Sequence, residues 1–246
     1  MLVIPMAGLS ARFFSAGYNI PKYQLPLFNE TLFHHSLNSF KRLFYAEKFI
    51  FIFRQGLEAK QFIEHEIRKL GIEKFDLVEL PSETRGQAET VYLGTRHLKQ
   101  STPITIFNID TIRPDFHHPA WIDNYDGYLE VFQGIGDHWS FIEPADNISV
   151  ARTTEKNRIS DLCSDGLYHF NEISDFNFAF ETSLRTADTV RGEYYVAPLY
   201  NTLINAGKKI GYRIIGSSDI LFSGTPEEYR SLLANNIAKQ RLTIQS

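Results

Sequence analysis

The fold is decided by residues 2–12, which read LVIPMAGLSAR, and by residues 21–26, which read PKYQLP. The apolar run 2–6 has the length and composition of a buried β-strand, and it leads into a loop of small residues. Two cations, Arg12 and Lys22, follow the loop. Backbone amides in a small loop after a strand, with cations nearby, are suited to hold phosphate groups. These segments therefore predict a phosphate-binding loop.

The second segment makes this signal specific. A glycine-containing turn after a strand is common, so residues 7–11 alone would be read as an ordinary turn. The Walker pattern and the three spaced glycines of dinucleotide-binding loops are both absent from the sequence here. Pro21 and Pro26, however, favour a stiff, extended chain that can hold the Lys22 ammonium over the loop.

Strand and helix patterns alternate through the first half of the chain. Short apolar runs predict strands at residues 2–6, 49–53, 77–80 and 104–107. Apolar residues at helical spacing predict helices at residues 31–43, 57–70 and 88–98. This rhythm is typical of a parallel sheet that is covered by helices on both faces.

The second half of the chain changes to shorter, more crowded strands. They are predicted at residues 128–132, 140–142, 149–153, 166–170 and 212–215, with helices at 193–206 and 226–239. We therefore expect an α/β fold with a mixed, mostly parallel sheet, in a single domain over residues 1–246. Its ligand should lie outside the carboxyl ends of the parallel strands.

Composition excludes several classes of protein. With 43% hydrophobic and 22% charged residues, the 246-residue chain is globular rather than disordered. A net charge of −4 argues against a protein that coats nucleic acid. Cys163 is the only cysteine, which excludes an intrachain disulfide and fits the reducing cytoplasm. The N-terminal apolar run is too short for a signal peptide or a membrane span.

The two opening segments resemble the N-terminal signature of the sugar-nucleotide pyrophosphorylases, a family of nucleotidyltransferases. The signature is Ala-Gly-x-Gly/Ser-x-Arg after a strand, followed by Pro-Lys-x-x-x-Pro, and it matches residues 7–12 and 21–26. Many members have a second glycine where this chain has Ser10. The resemblance implies a Rossmann-like three-layer sandwich of the glycosyltransferase-A type, with Arg12 and Lys22 as catalytic residues. It also implies a nucleotide site formed by Met6, Ala7, Gly8, Leu9, Ser10, Pro81, Gly86 and Gln87.

Gln87 and Asp110 each have two interpretations. Gln87 carries a donor and an acceptor that suit a pyrimidine edge, although its segment also suits a helix N-cap. Asp110 follows the predicted strand 104–107, where a carboxylate suits Mg²⁺, but it could also cap a turn. Relatives often supply a second carboxylate from an Asp-x-Gly-Thr segment. Residues 222–225 stand in its place without a carboxylate, so the second ligand is unassigned.

Two histidine pairs, His34-His35 and His117-His118, invite a metal interpretation. Adjacent side chains point in different directions on a helix or a strand, and no carboxylate partner recurs at ligand spacing. We expect these histidines to be structural or to lie on the surface.

The resemblance continues into the middle of the chain, where it implies an acceptor site formed by Trp139, Glu155, Lys156 and Glu193. Lys156 would hold the acceptor phosphate, and Glu155 would accept hydrogen bonds from a hydroxyl or amine. The alternative is that Glu155 and Lys156 form an ordinary surface ion pair.

The resemblance is closest to nucleotidyltransferases of bacterial capsule biosynthesis, and it extends to both glucose-1-phosphate thymidylyltransferases and compact cytidylyltransferases. It implies a Mg²⁺-dependent condensation of a nucleoside triphosphate with a small phosphorylated molecule, with release of pyrophosphate. The lack of a long C-terminal extension favours CTP and a head group such as phosphocholine or phosphoglutamine over a sugar 1-phosphate.

Two alternatives are a glycosyltransferase and a non-catalytic nucleotide-binding relative. A glycosyltransferase of this fold should carry Asp-x-Asp, where this chain has Asn108-Ile109-Asp110. The sequence leaves open the base, the acceptor and whether the chain forms a homo-oligomer.

Overall fold

The structure, a computed structural model, describes residues 1–56 and 59–245. The β-strands are β1 (Leu2–Pro5), β2 (Pro26–Leu27), β3 (Glu30–Thr31), β4 (Phe49–Arg54), β5 (Phe75–Leu80), β6 (Ile104–Phe107), β7 (Thr111–Ile112), β8 (Gly127–Gln133), β9 (Ser140–Pro144), β10 (Val150–Glu155), β11 (Leu162–Phe170), β12 (Ile210–Ile214) and β13 (Leu221–Phe222). The α-helices are α1 (Ala11–Ser15), α2 (Leu32–Asn38), α3 (Ala59–Leu70), α4 (Gln87–Gly94), α5 (Ile173–Thr186), α6 (Leu199–Asn205), α7 (Pro226–Leu233) and α8 (Asn236–Gln245).

Nine of the described strands form one central sheet. Strand β1 lies between β4 and β6 and is parallel to both, and β5 is parallel to β4. Strand β11 is antiparallel to its neighbours β6, β8 and β9, whereas β12 is parallel to β8. This mixed, mostly parallel sheet confirms the predicted fold class.

The parallel strands β1, β4 and β6 are mostly apolar because helices cover both faces of the sheet. Leu2, Val3 and Ile4 of β1 are completely buried. Apolar side chains of α4, α5 and α6 pack on one face, and those of α2 and α3 pack on the other. The result is a sandwich of three layers.

Three predicted helices, at 31–43, 88–98 and 193–206, are shorter in the structure, and the second of them, α4, ends at Gly94. Helix α2 ends at Asn38, after which Lys41–Leu43 form a 3-10 turn within the range predicted as helix. Residues 57 and 58, the predicted start of the next helix, lie outside the described residues. The helix predicted at 193–206 begins only at Leu199, directly after Pro198, whose fixed φ suits a helix start.

The prediction of one continuous helix at 226–239 is wrong, and helix α5 was not predicted. Residues 226–239 contain all of α7 and the start of α8. A new helix begins there because the Asn235 side chain accepts hydrogen bonds from the amides of Ile237 and Ala238, both at 3.0 Å. Helix α5 buries Ile173, Phe176 and further residues at helical spacing, a pattern that could have identified it. None of the described helices is long and apolar enough to cross a membrane.

Candidate active site

A cavity of about 660 Å³ opens where β1, β5 and β6 end, as expected for a doubly covered α/β sheet. It is lined by residues 6–10, Arg12, Lys22, Gly86, Gln87, Asp110, Trp139 and Glu193 among the predicted site residues. Pro81, Glu155 and Lys156 are outside its lining. The structure therefore brings twelve of the fifteen predicted site residues to one cavity.

The loop after β1 has a special backbone at Ser10. This residue has φ 52°, in the left-handed region that favours glycine, and its carbonyl accepts the Phe13 and Phe14 amides at 2.9 and 3.1 Å. Its hydroxyl accepts a hydrogen bond from the backbone amide of Lys22 at 3.1 Å. Ser10 therefore links the small loop directly to the Pro-Lys segment.

Lys22 lies on a 3-10 turn, Lys22–Gln24, and not on the extended segment that the two prolines predicted. Pro21 and Leu25, which flank the turn, have extended backbones, and the Pro21 carbonyl accepts the Gln24 amide at 2.9 Å, which closes the turn. The turn aims the Lys22 ammonium at Asp110, with which it forms an ion pair. The two side chains are 24% and 19% exposed, so the pair is partly shielded from water.

Asp110 lies at the end of β6 beside the start of α7. Its carbonyl accepts two hydrogen bonds from Ser223, from the amide and from the hydroxyl, both at 2.9 Å. The pairing of β13 with β7 brings this segment alongside. A Cβ atom added at Gly224 would lie 3.0 Å from Asp110 Oδ2 and 3.5 Å from Glu228 Oε2. Asp110 and Glu228 therefore approach one another where Gly224 has no side chain.

Glu228 is a cavity residue that the sequence did not identify. It is the third residue of α7 and forms a capping box with Thr225, whose amide donates to Glu228 Oε2 at 2.9 Å. The Thr-Pro-Glu-Glu sequence signals a helix start, but not that the carboxylate faces Asp110. That position depends on the pairing of strands far apart in sequence.

Gly86 starts the opposite wall of the cavity. Its φ of 123° and the close approach of the chain both require glycine, since a Cβ would lie 2.5 Å from the Tyr194 carbonyl oxygen. That carbonyl accepts the Ala88 amide at 3.1 Å. The Gln87 side-chain amide donates to Asn108 Oδ1, so Asn108 is a further wall residue that orients Gln87.

The predicted acceptor residues separate into two groups. Trp139 and Glu193 line the cavity, whereas Glu155 and Lys156 pack behind it. The Lys156 ammonium contacts the Tyr195 hydroxyl, lies 4.2 Å from the centre of its ring and 3.9 Å from Glu155 Oε1.

Glu155 is buried, so the pair is not an ordinary surface ion pair. Burial raises the pKa of Glu155, partly opposed by a hydrogen bond from Ser140 and by the charge of Lys156. Pro81 is exposed at the end of β5.

The histidine pairs are structural in part. His35 is buried and its Nε2 lies 2.9 Å from the Leu27 carbonyl. His118 Nδ1 lies 3.0 Å from the Tyr128 hydroxyl, while His117 is exposed. His34 is buried beside Glu30, four residues earlier, and Glu66, so the prediction that this pair has no carboxylate partner at ligand spacing is wrong.

Comparison with solved structures identifies the family of this sandwich and its cavity. The nucleoside-diphosphate-sugar pyrophosphorylase from Vibrio cholerae RC9 is 47% identical, with a TM-score of 0.91 over 96% of this chain and 100% of that chain. The chain therefore belongs to the sugar-nucleotide nucleotidyltransferases, the family that its opening segments resemble. It is an enzyme of the nucleotidyltransferase class, as predicted.

More distant structures share the fold. The inositol-1-phosphate CTP transferase from T. maritima is 13% identical, with a TM-score of 0.75 over 99% of this chain and 94% of that chain. A UDP-glucose pyrophosphorylase complexed with UDP-glucose is 17% identical, with a TM-score of 0.73 over 98% of each chain. No protein-family model and no curated protein sequence matches the chain.

Proposed function

We propose that the chain is a Mg²⁺-dependent enzyme that condenses a nucleoside triphosphate with a small phosphorylated acceptor and releases pyrophosphate. One observation carries the proposal: the phosphate-type loop, its two cations and a pair of carboxylates open into the same cavity as Trp139 and Glu193. A volume of about 660 Å³ is in the range of cavities that hold cofactor-sized ligands. Two substrates can therefore meet there.

The residues of the loop suit the triphosphate. Arg12 is exposed on the first turn of α1 and can neutralise the leaving pyrophosphate together with the loop amides. Lys22 lines the cavity beside Asp110 and can stabilise negative charge at the α-phosphoryl group when the acceptor phosphate attacks it. The acceptor phosphate is already ionised near neutral pH, so no general base is needed and positioning supplies most of the catalysis.

Asp110 and Glu228 fit a magnesium ion. Their carboxylate oxygens are the hard ligands that Mg²⁺ prefers, and the missing side chain of Gly224 leaves space between them. Glu228 would thus take the place of the second family carboxylate that residues 222–225 lack. A bound Mg²⁺ would neutralise charge on the triphosphate.

The Gln87 side chain can contact a base with either polarity. One N–H of its amide donates to Asn108, which leaves the second N–H as a donor and the carbonyl oxygen as an acceptor. The amino group of cytosine can donate to that oxygen, and the O4 atom of uracil or thymine can accept from the N–H. Gln87 therefore does not select the base, and CTP is favoured only by the sequence resemblance to compact cytidylyltransferases.

The acceptor would bind on the side of Trp139 and Glu193. Lys156 would attract its phosphate from behind the wall, held in place by Tyr195. The V. cholerae relative is named for nucleoside-diphosphate sugars, which supports a sugar 1-phosphate, while the sequence resemblance supports a phosphorylated head group. Either product would be an activated unit for capsule or surface polysaccharide synthesis, and we place the reaction in the cytoplasm, where triphosphates are made.

Pyrophosphate release tests the proposal directly. The purified chain is mixed with Mg²⁺, each of the four ribonucleoside triphosphates or dTTP, and a panel of sugar 1-phosphates, phosphocholine and phosphoglutamine. We expect release with CTP and one acceptor class, and its loss in Asp110→Asn. If folded protein released no pyrophosphate with any combination of triphosphate and acceptor, the proposed reaction would be contradicted.

A further inference from the structure

A second group of metal-ligand side chains lies outside the active-site cavity, between the β2–β3 hairpin and helices α2 and α3. It consists of Glu30 on β3, His34 in the first turn of α2 and Glu66 on α3. One donor atom from each lies within 4.8 Å of the other two. We name this group the hairpin cluster.

The Nδ1 atom of His34 points between the two carboxylates. It lies 3.5 Å from Glu66 Oε2 and 3.7 Å from Glu30 Oε2, both beyond the hydrogen-bond range. His34 is 7% exposed, and its Nδ1 has no hydrogen-bond partner in the described part of the chain. A buried ring nitrogen without a partner is uncommon, because leaving it unpaired costs stability.

These separations suit a small ion shared by all three groups. Bonds of about 2.0–2.1 Å to a tetrahedral Zn²⁺ place neighbouring ligand atoms about 3.3 Å apart, close to the separations from Nδ1 to both carboxylates. One imidazole with two carboxylates is a ligand set that zinc accepts, with water in the fourth position. Mg²⁺ fits less well, since it avoids nitrogen ligands.

The surroundings already orient the ligands. The Thr31 hydroxyl donates to Glu66 Oε2 at 2.8 Å and accepts the His34 amide at 3.1 Å. Outer contacts of this kind fix the direction of metal ligands. The Lys69 ammonium contacts Glu30 Oε2, the same oxygen that lies 3.7 Å from His34 Nδ1, so this lysine, which is 44% exposed, must move aside for an ion to bind.

We propose that the hairpin cluster is a zinc-binding site with Glu30, His34 and Glu66 as protein ligands. The ion would fasten the β2–β3 hairpin and the start of α2 to α3. The hairpin follows the turn that carries Lys22, so zinc would stabilise this side of the active site without contacting the substrates. The site does not depend on the proposed function.

Metal binding can be measured without catalysis. The full chain is stripped with a chelator, titrated with Zn²⁺ by calorimetry, and titrated separately with Co²⁺, whose visible absorption reports tetrahedral geometry. We expect one tightly bound Zn²⁺ per chain, a tetrahedral Co²⁺ spectrum and a rise in the thermal unfolding temperature on adding Zn²⁺.

Variants assign the ion to the cluster. His34→Gln and Glu30→Gln should each weaken Zn²⁺ binding by more than about 100-fold, since loss of an outer contact alone costs about 10–100-fold. Glu64→Gln is the matched control, because this carboxylate lies on the same helix but pairs with Arg68. Asp110→Asn controls for the active-site cavity, and neither control should change the Co²⁺ spectrum.

Two results would overturn the assignment. One is wild-type protein that gives no tetrahedral Co²⁺ spectrum and no stoichiometric Zn²⁺ binding. The other is binding that survives both His34→Gln and Glu30→Gln, or that disappears in Asp110→Asn. If His34→Gln fails to fold, Glu30→Gln can still be used to test the assignment, since Glu30 lies on a short hairpin near the surface.

Discussion

Replacement of Lys22 by methionine should remove most turnover while the fold persists. Met preserves the length and apolar stem of the side chain but not the ammonium that pairs with Asp110. Both side chains are about four-fifths covered, so the ammonium acts in an environment less polar than bulk water. Loss of one preorganised charge stabiliser of this kind costs about 2.7–4 kcal/mol in the transition state, or roughly a 10²–10³-fold fall in kcat.

The cost in stability should be much smaller. Water still reaches about one-fifth of the Asp110 side chain and can solvate its carboxylate once the ammonium is gone, so we expect a cost near the upper end of the roughly 0.2–1 kcal/mol that solvent-accessible pairs contribute. A change of about 1 kcal/mol lowers the unfolding temperature of a domain of this size by about 2–4 °C. Divalent-ion affinity of the free enzyme should not fall, because Asp110 loses a competing cation. This pattern separates a catalytic charge from a metal-holding or structural one.

The assay combines pyrophosphate release, thermal unfolding and titration with Mn²⁺ as a probe of the Mg²⁺ site. Lys41→Met is the matched control, since Lys41 is an exposed lysine on another 3-10 turn and should leave all three measurements unchanged. A Lys22→Met enzyme with kcat near the wild-type value would refute the role assigned to this ammonium. A parallel collapse of kcat and unfolding temperature would show that Lys22 is mainly structural.

Three other changes test the site and the fold. Gly86→Ala places a Cβ 2.5 Å from the Tyr194 carbonyl at a φ of 123°, so urea unfolding should show a loss of at least about 1–3 kcal/mol; wild-type stability would contradict the close packing. Glu228→Gln should weaken Mn²⁺ binding by about tenfold but leave the unfolding temperature unchanged, because glutamine also completes a capping box with Thr225; unchanged Mn²⁺ affinity would exclude Glu228 as a ligand. Burial lowers the pKa of His169 to about 3, so the stability that its neutral form provides is complete above pH 6.5 and is lost as the pH falls towards 3. Between pH 7 and 5 His169 should lower the free energy of unfolding, measured with urea, by about 2 kcal/mol. The His169→Gln variant should lose less stability over the same interval; an equal loss would show that another group causes it.

The sequence could predict the part of the site that local rules determine. Strands β1, β4 and β6 are nearly continuous apolar runs because both of their faces are buried; the polar residues are Arg54 at the end of β4 and Thr105 in β6. Since parallel strands end at the same edge of a sheet, loops that follow them must converge. This convergence is why Lys22 and Asp110, 88 positions apart, could be assigned to one cavity before their contact was known.

Glu228 illustrates what the sequence could not predict. Its helix start is visible in the residues 225–228, but its position beside Asp110 requires β13 to pair with β7 across more than a hundred residues. No local rule specifies that pairing, because both strands are only two residues long. The approach of Glu66 to His34 could not be predicted for a similar reason, since the two residues lie on separate helices.

The family resemblance predicted the cavity residues less accurately on the proposed acceptor side than in the loop after β1. Lys156 and Glu155 match a family segment, yet the side chains of this chain pack against Tyr195 and Ser140 behind the cavity wall. The wall residues Trp139 and Glu193 come from other segments and face the cavity.

Ser10 shows how a departure from a family signature can follow from the same physics as the signature. The position requires a left-handed backbone, which glycine adopts freely and which costs serine roughly 1–2 kcal/mol. The serine hydroxyl offsets part of that cost by accepting the backbone amide of Lys22, a bond that glycine cannot form. Because that bond fixes the start of the turn whose side chain reaches Asp110, one residue holds both the loop and Lys22. The requirement at this position is therefore the left-handed backbone conformation, which serine can meet here because its side chain stabilises the neighbouring segment.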